Sequence, residues 1–417
     1  MSLFAKEKIN KGRQLEIDAL KAICIVCMIF IHVMEDCVGS GAMESTQVSQ
    51  AMDNIGVVVG AAAFMFCMGI GMRYARNQSA KAYVIRGLAI ITVGQMLNLL
   101  RNVLFNITAY WITNEQWFLA NSFLIIQADI LSFAGLAFLL IALLRKLNLP
   151  DGAILGIGIA MNLAGWAAHY LMPLPDSYLA NQLIGYFFIT KAESYFPLMS
   201  YFVFVAAGFL AGGKYPYIKD KDKFSTLVLK ICVPICAVYY FFRIPLDTPF
   251  LPEYDSDLNY SMYPGPDAIA SILAACLLLA LFYKIIHRAG DKIPRFVAHL
   301  SENINSYYCI SYMFILPFQT LIIALTGRLL DAVVPDGGML MLVGLALTLS
   351  IIVACAGIIE INKRYIHFSV VALGSSKAGR IVLLGVWVLT VVIVIYDYPR
   401  IVEFANIWDD YLLPGVD

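Results

Sequence analysis

Residues 15–36 read LEIDALKAICIVCMIFIHVMED, and the housing this stretch requires decides the fold. Between Lys21 and His32 lie ten residues with no charged or amide side chain, so the run from Ile17 to Glu35 is long and apolar enough to cross a hydrocarbon core of about 30 Å as one helix. No small-residue cleavage site follows it, which reads as a retained helix and not a removed leader. Eleven residues at 100° each make three turns plus about 20°, putting Lys21 and His32 on one face about 16 Å apart. Asp18 shares that face. Glu35 and Asp36 follow His32 at i+3 and i+4, where a carboxylate can orient the ring and stabilise its charged form.

The rest of the chain repeats the pattern. Of 417 residues, 60% are apolar and 14% charged, against roughly 25% charged in a soluble domain. Apolar spans are expected near 17–35, 51–73, 84–105, 117–144, 153–172, 195–213, 224–242, 264–286, 304–326, 338–361 and 379–398, and only helices suit those lengths. The fold class is therefore all-α, a polytopic membrane bundle of about 11 transmembrane helices. It reads as a single domain over 1–417, with residues 1–14 as an N-terminal segment and 400–417 as a tail. There is no internal repeat, no low-complexity tract and no sign of broken helices.

Orientation follows from the basic residues, which collect on the cytoplasmic side. With the N-terminus cytoplasmic, all of the 29 Lys and Arg fall inside except Arg101, Lys191, Arg243, Arg328 and Arg400. The opposite loops are acidic (Glu44, Asp247, Glu253, Asp255, Asp257, Asp409, Asp410) and aromatic, with Trp111, Trp117 and Trp408 suited to an outer interfacial belt and Tyr254, Tyr260 and Tyr263 able to face a sugar. The C-terminus then lies outside. The 29 basic residues balance 29 acidic ones, and no basic domain points to nucleic acid.

Charged groups inside a bilayer cost about 2.5–3.5 kcal/mol each on insertion scales, so each is a functional suspect. His32 is the strongest. His287, His299 and His367 fall in expected cytoplasmic loops, and His169 has no carboxylate nearby. Arg73, Arg76, Lys81 and Arg86 form a cluster whose guanidinium forks suit phosphate oxygens, although ordinary positive-inside charge explains them too. Asp129, within an expected span, needs a wet cavity or a cationic partner. Gln95 and Asn98 are read as ties between helices, with Asn121, Gln127 and Glu193 as further buried polar groups. Eight of nine Cys lie in apolar spans, and Cys24 and Cys27 are read as small apolar residues, not metal ligands. No metal is expected.

Asp18-Ala-Leu-Lys21, ten residues, then His32 resembles the opening signature of the acyltransferase-3 family and its relatives, the YeiB-like membrane proteins and heparan-alpha-glucosaminide N-acetyltransferase, with Lys21 standing where the family has Arg. Ala63 to Gly71 is similar to the second-helix Phe/Gly run, Asp129 to Gly135 to the fourth-helix segment of YeiB-like chains, and Phe196-Pro197 before Gly208 to a later Phe-Pro helix. The resemblance spans roughly residues 13–210. It implies an acyl-CoA-dependent O- or N-acyltransferase that moves an acyl group, acetyl being expected, from cytosolic acetyl-CoA to a hydroxyl or amine of an extracytoplasmic glycan or small-molecule acceptor, that is, carbohydrate modification. Lys21, Arg73, Arg76 and Arg86 would hold the CoA phosphates, and His32 would deprotonate the acceptor or carry the acyl group, oriented by Glu35 or Asp36. The membrane implied is a bacterial cytoplasmic (inner) membrane, with its lipids as further partners; a homodimer is compatible with such a bundle. Two other readings compete: an exporter of a small anionic solute using Asp129, His32 and the arginines as a relay, and a non-catalytic scaffold.

Overall fold

The computed structural model describes residues 3–39, 60–171, 177–188, 195–246, 265–326, 329–330, 337–369 and 376–403. Glu44, Glu193, Asp247, Glu253, Tyr254, Asp255, Asp257, Tyr260, Tyr263, Trp408, Asp409 and Asp410 lie outside them, as do Lys191, Arg328 and the side chains of Trp117, Asn121, His169 and Arg243. No strand occurs among the described residues, and the protein is an all-α polytopic membrane protein.

In chain order the helices are α1 (Leu15–Val33), α2 (Ala63–Tyr74), α3 (Ala80–Asn98), α4 (Asn106–Thr113), α5 (Gln116–Asn121), α6 (Ile130–Lys146), α7 (Asp151–Leu171), α8 (Tyr178–Gly185), α9 (Leu198–Lys214), α10 (Lys221–Leu246), α11 (Gly265–Arg288), α12 (Arg295–Glu302), α13 (Ile304–Thr326), α14 (Gly337–Ile361) and α15 (Lys377–Tyr396). Eight helical segments among the described residues are long and apolar enough to span a bilayer, matching eight of the expected spans. Of the other three, 51–73 begins outside the described residues and ends in α2, 224–242 lies within α10, and 117–144 is not continuous.

That last span is a correction. Instead of one helix, α5 passes through a tight 3-10 turn at Ser122–Ile126, the chain runs non-helically through Gln127–Asp129, and α6 starts afresh. Asp129 is extended (φ −90°, ψ 178°), and its Oδ1 accepts from the amides of Leu131 and Ser132 at 3.1 and 3.0 Å. A carboxylate in that position satisfies orphan amides of the first turn. The expectation of unbroken helices therefore fails here.

α1 is the hub, touching α2, α11, α12, α13 and α14. Its first turn carries Glu16 and Asp18, the favourable sign at a helix N-terminus. It continues through a wide π turn, Met34–Val38, and stops at Gly39, whose φ of +110° suits glycine. The tightest crossing is α2 against α9: a Cβ built on Gly208 would sit 1.9 Å from the Phe66 carbonyl oxygen, and one on Gly69 2.2 Å from that of Val205. Only glycine lets the two backbones touch, the close packing that replaces hydrophobic drive in lipid.

The expected cytoplasmic elements do meet at one end of the bundle, hereafter the basic end. Glu16 binds Tyr215 and Lys221, Asp18 binds Arg13 and Ser301, and Arg13 also pairs with Glu302. Lys284 pairs with Asp222, and Arg73 and Arg145 share Asp151. Hydrogen bonding by Asp18 is the main reason the Arg13 guanidinium is held above its ordinary pKa.

Candidate active site

α1 remains an uninterrupted α-helix from Lys21 to His32, so the two residues share a face as the spacing requires. His32 lies 17 residues beyond Leu15, about 25 Å along the axis, at the end away from the basic cluster. Its Nε2 is 2.9 Å from the Tyr312 hydroxyl on α13, and its Nδ1 is 3.6 Å from Glu35 Oε2, an ion-pair distance. The π turn that follows re-aims the carboxylates relative to a plain i+3, i+4 stack. Glu35 reaches the ring; Asp36 is in the field of His32, Glu35 and Arg101 without an ion pair to any of them.

Beneath Tyr312 lies Arg101, in the wide turn Leu99–Phe105 between α3 and α4. Its guanidinium carbon is 4.8 Å from the Tyr312 ring centroid, a cation–π contact. One Nη donates to Gln127 Oε1 at 2.8 Å and to Asn98 Oδ1 at 3.2 Å, with Asp129 Oδ2 at 3.8 Å. Arg101, expected on the extracytoplasmic side, lies at the His32 end of the bundle with its side chain buried, and Asp129 has the cationic partner its depth demands. The freed backbone of the 122–129 break is bound by the amides expected to tie helices, since Gln95 donates to the Ile125 carbonyl and Asn98 to that of Gln127. The layer is graded in exposure. His32 and Glu35 side chains are 28% and 42% accessible, those of Arg101 and Asp129 only 9% and 4%.

At the basic end, the four expected phosphate ligands separate into two kinds. Arg73 is committed: it bonds Asp151 at 2.9 Å and Gln78 at 3.3 Å, and lies over the Phe209 ring. Lys21, Arg76 and Arg86 form no ion pair with a described residue; Arg76 is exposed, and Lys21 and Arg86 are half-buried. Arg73 and Arg86 both act on the buried Tyr83, so they belong to one neighbourhood.

Two further residues carry polar contacts that the sequence reading missed. Tyr312 gave no signal, because a tyrosine in an apolar helix is ordinary. His299 was assigned to a solvated loop, but α12 is a short amphipathic helix and the imidazole is held between the Tyr307 hydroxyl (2.9 Å) and Glu360 (3.0 Å). Among the described residues, no group of three His, Cys, Asp or Glu could hold a metal ion.

The family model for the catalytic domain of heparan-alpha-glucosaminide N-acetyltransferase matches residues 13–238, just over half of the chain. The chain belongs to this family. Membership in the heparan-alpha-glucosaminide N-acetyltransferase family makes it a membrane acetyltransferase, an enzyme of the transferase class. The matched region runs from Arg13 through most of α10 and includes His32, Arg101 and Asp129; Tyr312 lies beyond it. No curated protein and no solved structure matches the chain.

Proposed function

We propose that the chain takes an acetyl group from acetyl-CoA held at the basic end and delivers it to a hydroxyl or amine presented at the His32 end, across the thickness of the bundle. The single domain, the cytoplasmic placement of the N-terminus and the outer placement of the C-terminal tail belong to this proposal, as does a bacterial cytoplasmic membrane. One observation carries it: α1 joins the Lys21 ammonium, which has no ion-pair partner among the described residues, to a hydrogen-bonded imidazole at His32 along one unbroken stripe. Lys21, Arg76 and Arg86 are cations left for phosphate oxygens, which suits the anionic end of CoA. Arg73, bound to Asp151, shapes that mouth more than it binds ligand. The family name supplies the acceptor class, a glucosaminide or related glycan.

At the far end, Glu35 and Asp36 set the electrostatics of His32, and the imidazole serves as the base for the acceptor. Replacing His32 with Ala in purified, normally folded protein should lower CoA-thiol release from acetyl-CoA by about 100-fold or more. Unchanged release would exclude the histidine role.

The exporter reading gains one observation, because a helix broken at a buried Arg101–Asp129 pair is a feature of transporters. Family membership weighs against it. Solute flux in proteoliposomes without acetyl-CoA would favour it.

A further inference from the structure

The geometry points to Tyr312, not His32, as the residue that touches the acceptor, with His32 working through it. This rests on the acetyltransferase reading above and specifies its chemistry. The Nδ1 of His32 faces Glu35 Oε2 at 3.6 Å. A carboxylate beside Nδ1 favours the tautomer that carries the ring proton there and leaves Nε2 bare, and that is the tautomer we assign. Nε2 therefore accepts from the Tyr312 hydroxyl at 2.9 Å. An imidazole whose basic nitrogen is already occupied is poorly placed to attack a thioester. The phenol oxygen still has a lone pair for an acceptor hydroxyl or amine.

The surroundings of Tyr312 fit this role. Arg101 places a fixed positive charge under the ring, and its Nε, like Oδ2 of the ion-paired Asp129, is buried with no hydrogen-bond partner among the described residues. Arg101 favours negative charge on the phenol oxygen and the Asp36, Glu35 and Asp129 carboxylates oppose it, so the oxygen gives up its proton only as it takes one from the acceptor. Tyr308 meets the ring edge-on at 5.4 Å. The charged and titratable groups around the phenol are His32 from α1, Glu35 and Asp36 from the π turn after it, Arg101 from the turn after α3, Asp129 capping α6, and Tyr308 from α13 itself.

The step balances as follows. The acceptor oxygen or nitrogen bonds to the acetyl carbonyl carbon, and the C=O π pair moves onto the carbonyl oxygen. As this happens, the acceptor's proton passes to the Tyr312 oxygen and the Tyr312 proton to His32 Nε2. Collapse restores C=O and breaks the C–S bond. The sulfur leaves with the proton returned from Nε2 through Tyr312, giving acetylated acceptor and CoA thiol. No acetyl-histidine forms.

The test uses the full chain in lipid nanodiscs, radiolabelled acetyl-CoA as donor and glucosamine as the probe acceptor, with thiol release to water measured in parallel. Tyr312→Phe should lower kcat about 100-fold or more, while KM for acetyl-CoA stays within about threefold, as expected when an interaction of the chemical step alone is lost. Replacing Tyr312 with 3,5-difluorotyrosine, which keeps the ring and hydrogen bond but holds its proton less tightly, should retain turnover and move a limb of the kcat–pH profile to lower pH. A tyrosine with only a packing role would leave that limb in place. Acid-quenched wild type without acceptor should carry no label. Near-normal kcat in Tyr312→Phe, an unmoved limb, or label retained on His32 would each overturn the relay while leaving the transferase reading intact. A wild-type protein that releases no thiol with glucosamine or water would overturn both.

Discussion

At the basic end, Asp151 is shared by Arg73 and Arg145, Glu16 by Lys221 and Tyr215, and Asp18 by Arg13 and Ser301; about 25 Å away, one buried guanidinium, Arg101, sits against Asp129 and the face of Tyr312. The first region is a redundant net in which Glu16, Asp18 and Asp151 each have two partners; Glu16 and Asp18 are buried, whereas the Arg13–Glu302 pair at the rim is half-exposed, screened and individually weak. The second has a single buried guanidinium, Arg101, beside the buried Asp129, where each polar group depends on its neighbour. The contrast separates the tasks: a many-handed end with Arg76 exposed suits holding a charged ligand, and a layer that grades from the accessible His32 and Glu35 to the buried Arg101 and Asp129 suits the bond change.

Substitutions should break this contrast in order of burial. Arg101→Ala leaves Asp129 without its cation in a low-dielectric layer, so about 3–5 kcal/mol of stability should be lost, read from denaturant or thermal melts in detergent. Arg101→Lys, which keeps the charge but not the planar fork, should fall between that variant and wild type. Lys21→Ala, Arg76→Ala and Arg86→Ala should leave the melts unchanged and raise KM for acetyl-CoA several-fold each with kcat preserved, the pattern of lost uniform binding. Arg73→Ala should behave differently from these three, because its removal leaves the half-buried Asp151 with only the longer Arg145 pair; its effect belongs mainly in the melt. Smallest is Glu302→Gln, which opens a half-exposed pair with Arg13 and should cost less than about 1 kcal/mol in the same melts.

Much of this was legible in the residues. Apolar run length is a strong signal, so the all-α bundle and the α1 stripe from Lys21 to His32 could be read directly. The break at Gln127–Asp129 could not, because hydropathy averages over a window and 117–144 is apolar on both sides of it; the cue was Asp129, an N-cap residue type directly before an apolar run, outweighed by span length. The side expected for Arg101 came from the distribution of basic residues, which says nothing of burial, and only the position of the restarted α6 shows that its side chain is buried. His299 was placed in a loop because α12 is only eight residues long. Tyr312 acquires meaning solely from what α1 and α3 bring to it, a contact between residues 280 positions apart in the chain.

The central claim, donor at the basic end and acceptor at the other, is tested most directly with sided proteoliposomes. Orientation is set by protease accessibility of the N-terminal segment, labelled acetyl-CoA is supplied on one side only, and glucosamine is enclosed on the opposite side. The account predicts acetyl-glucosamine only when acetyl-CoA faces the Lys21 end and glucosamine the His32 end, with the signal abolished by His32→Ala. Equal product when both substrates are confined to the Lys21 side would contradict it.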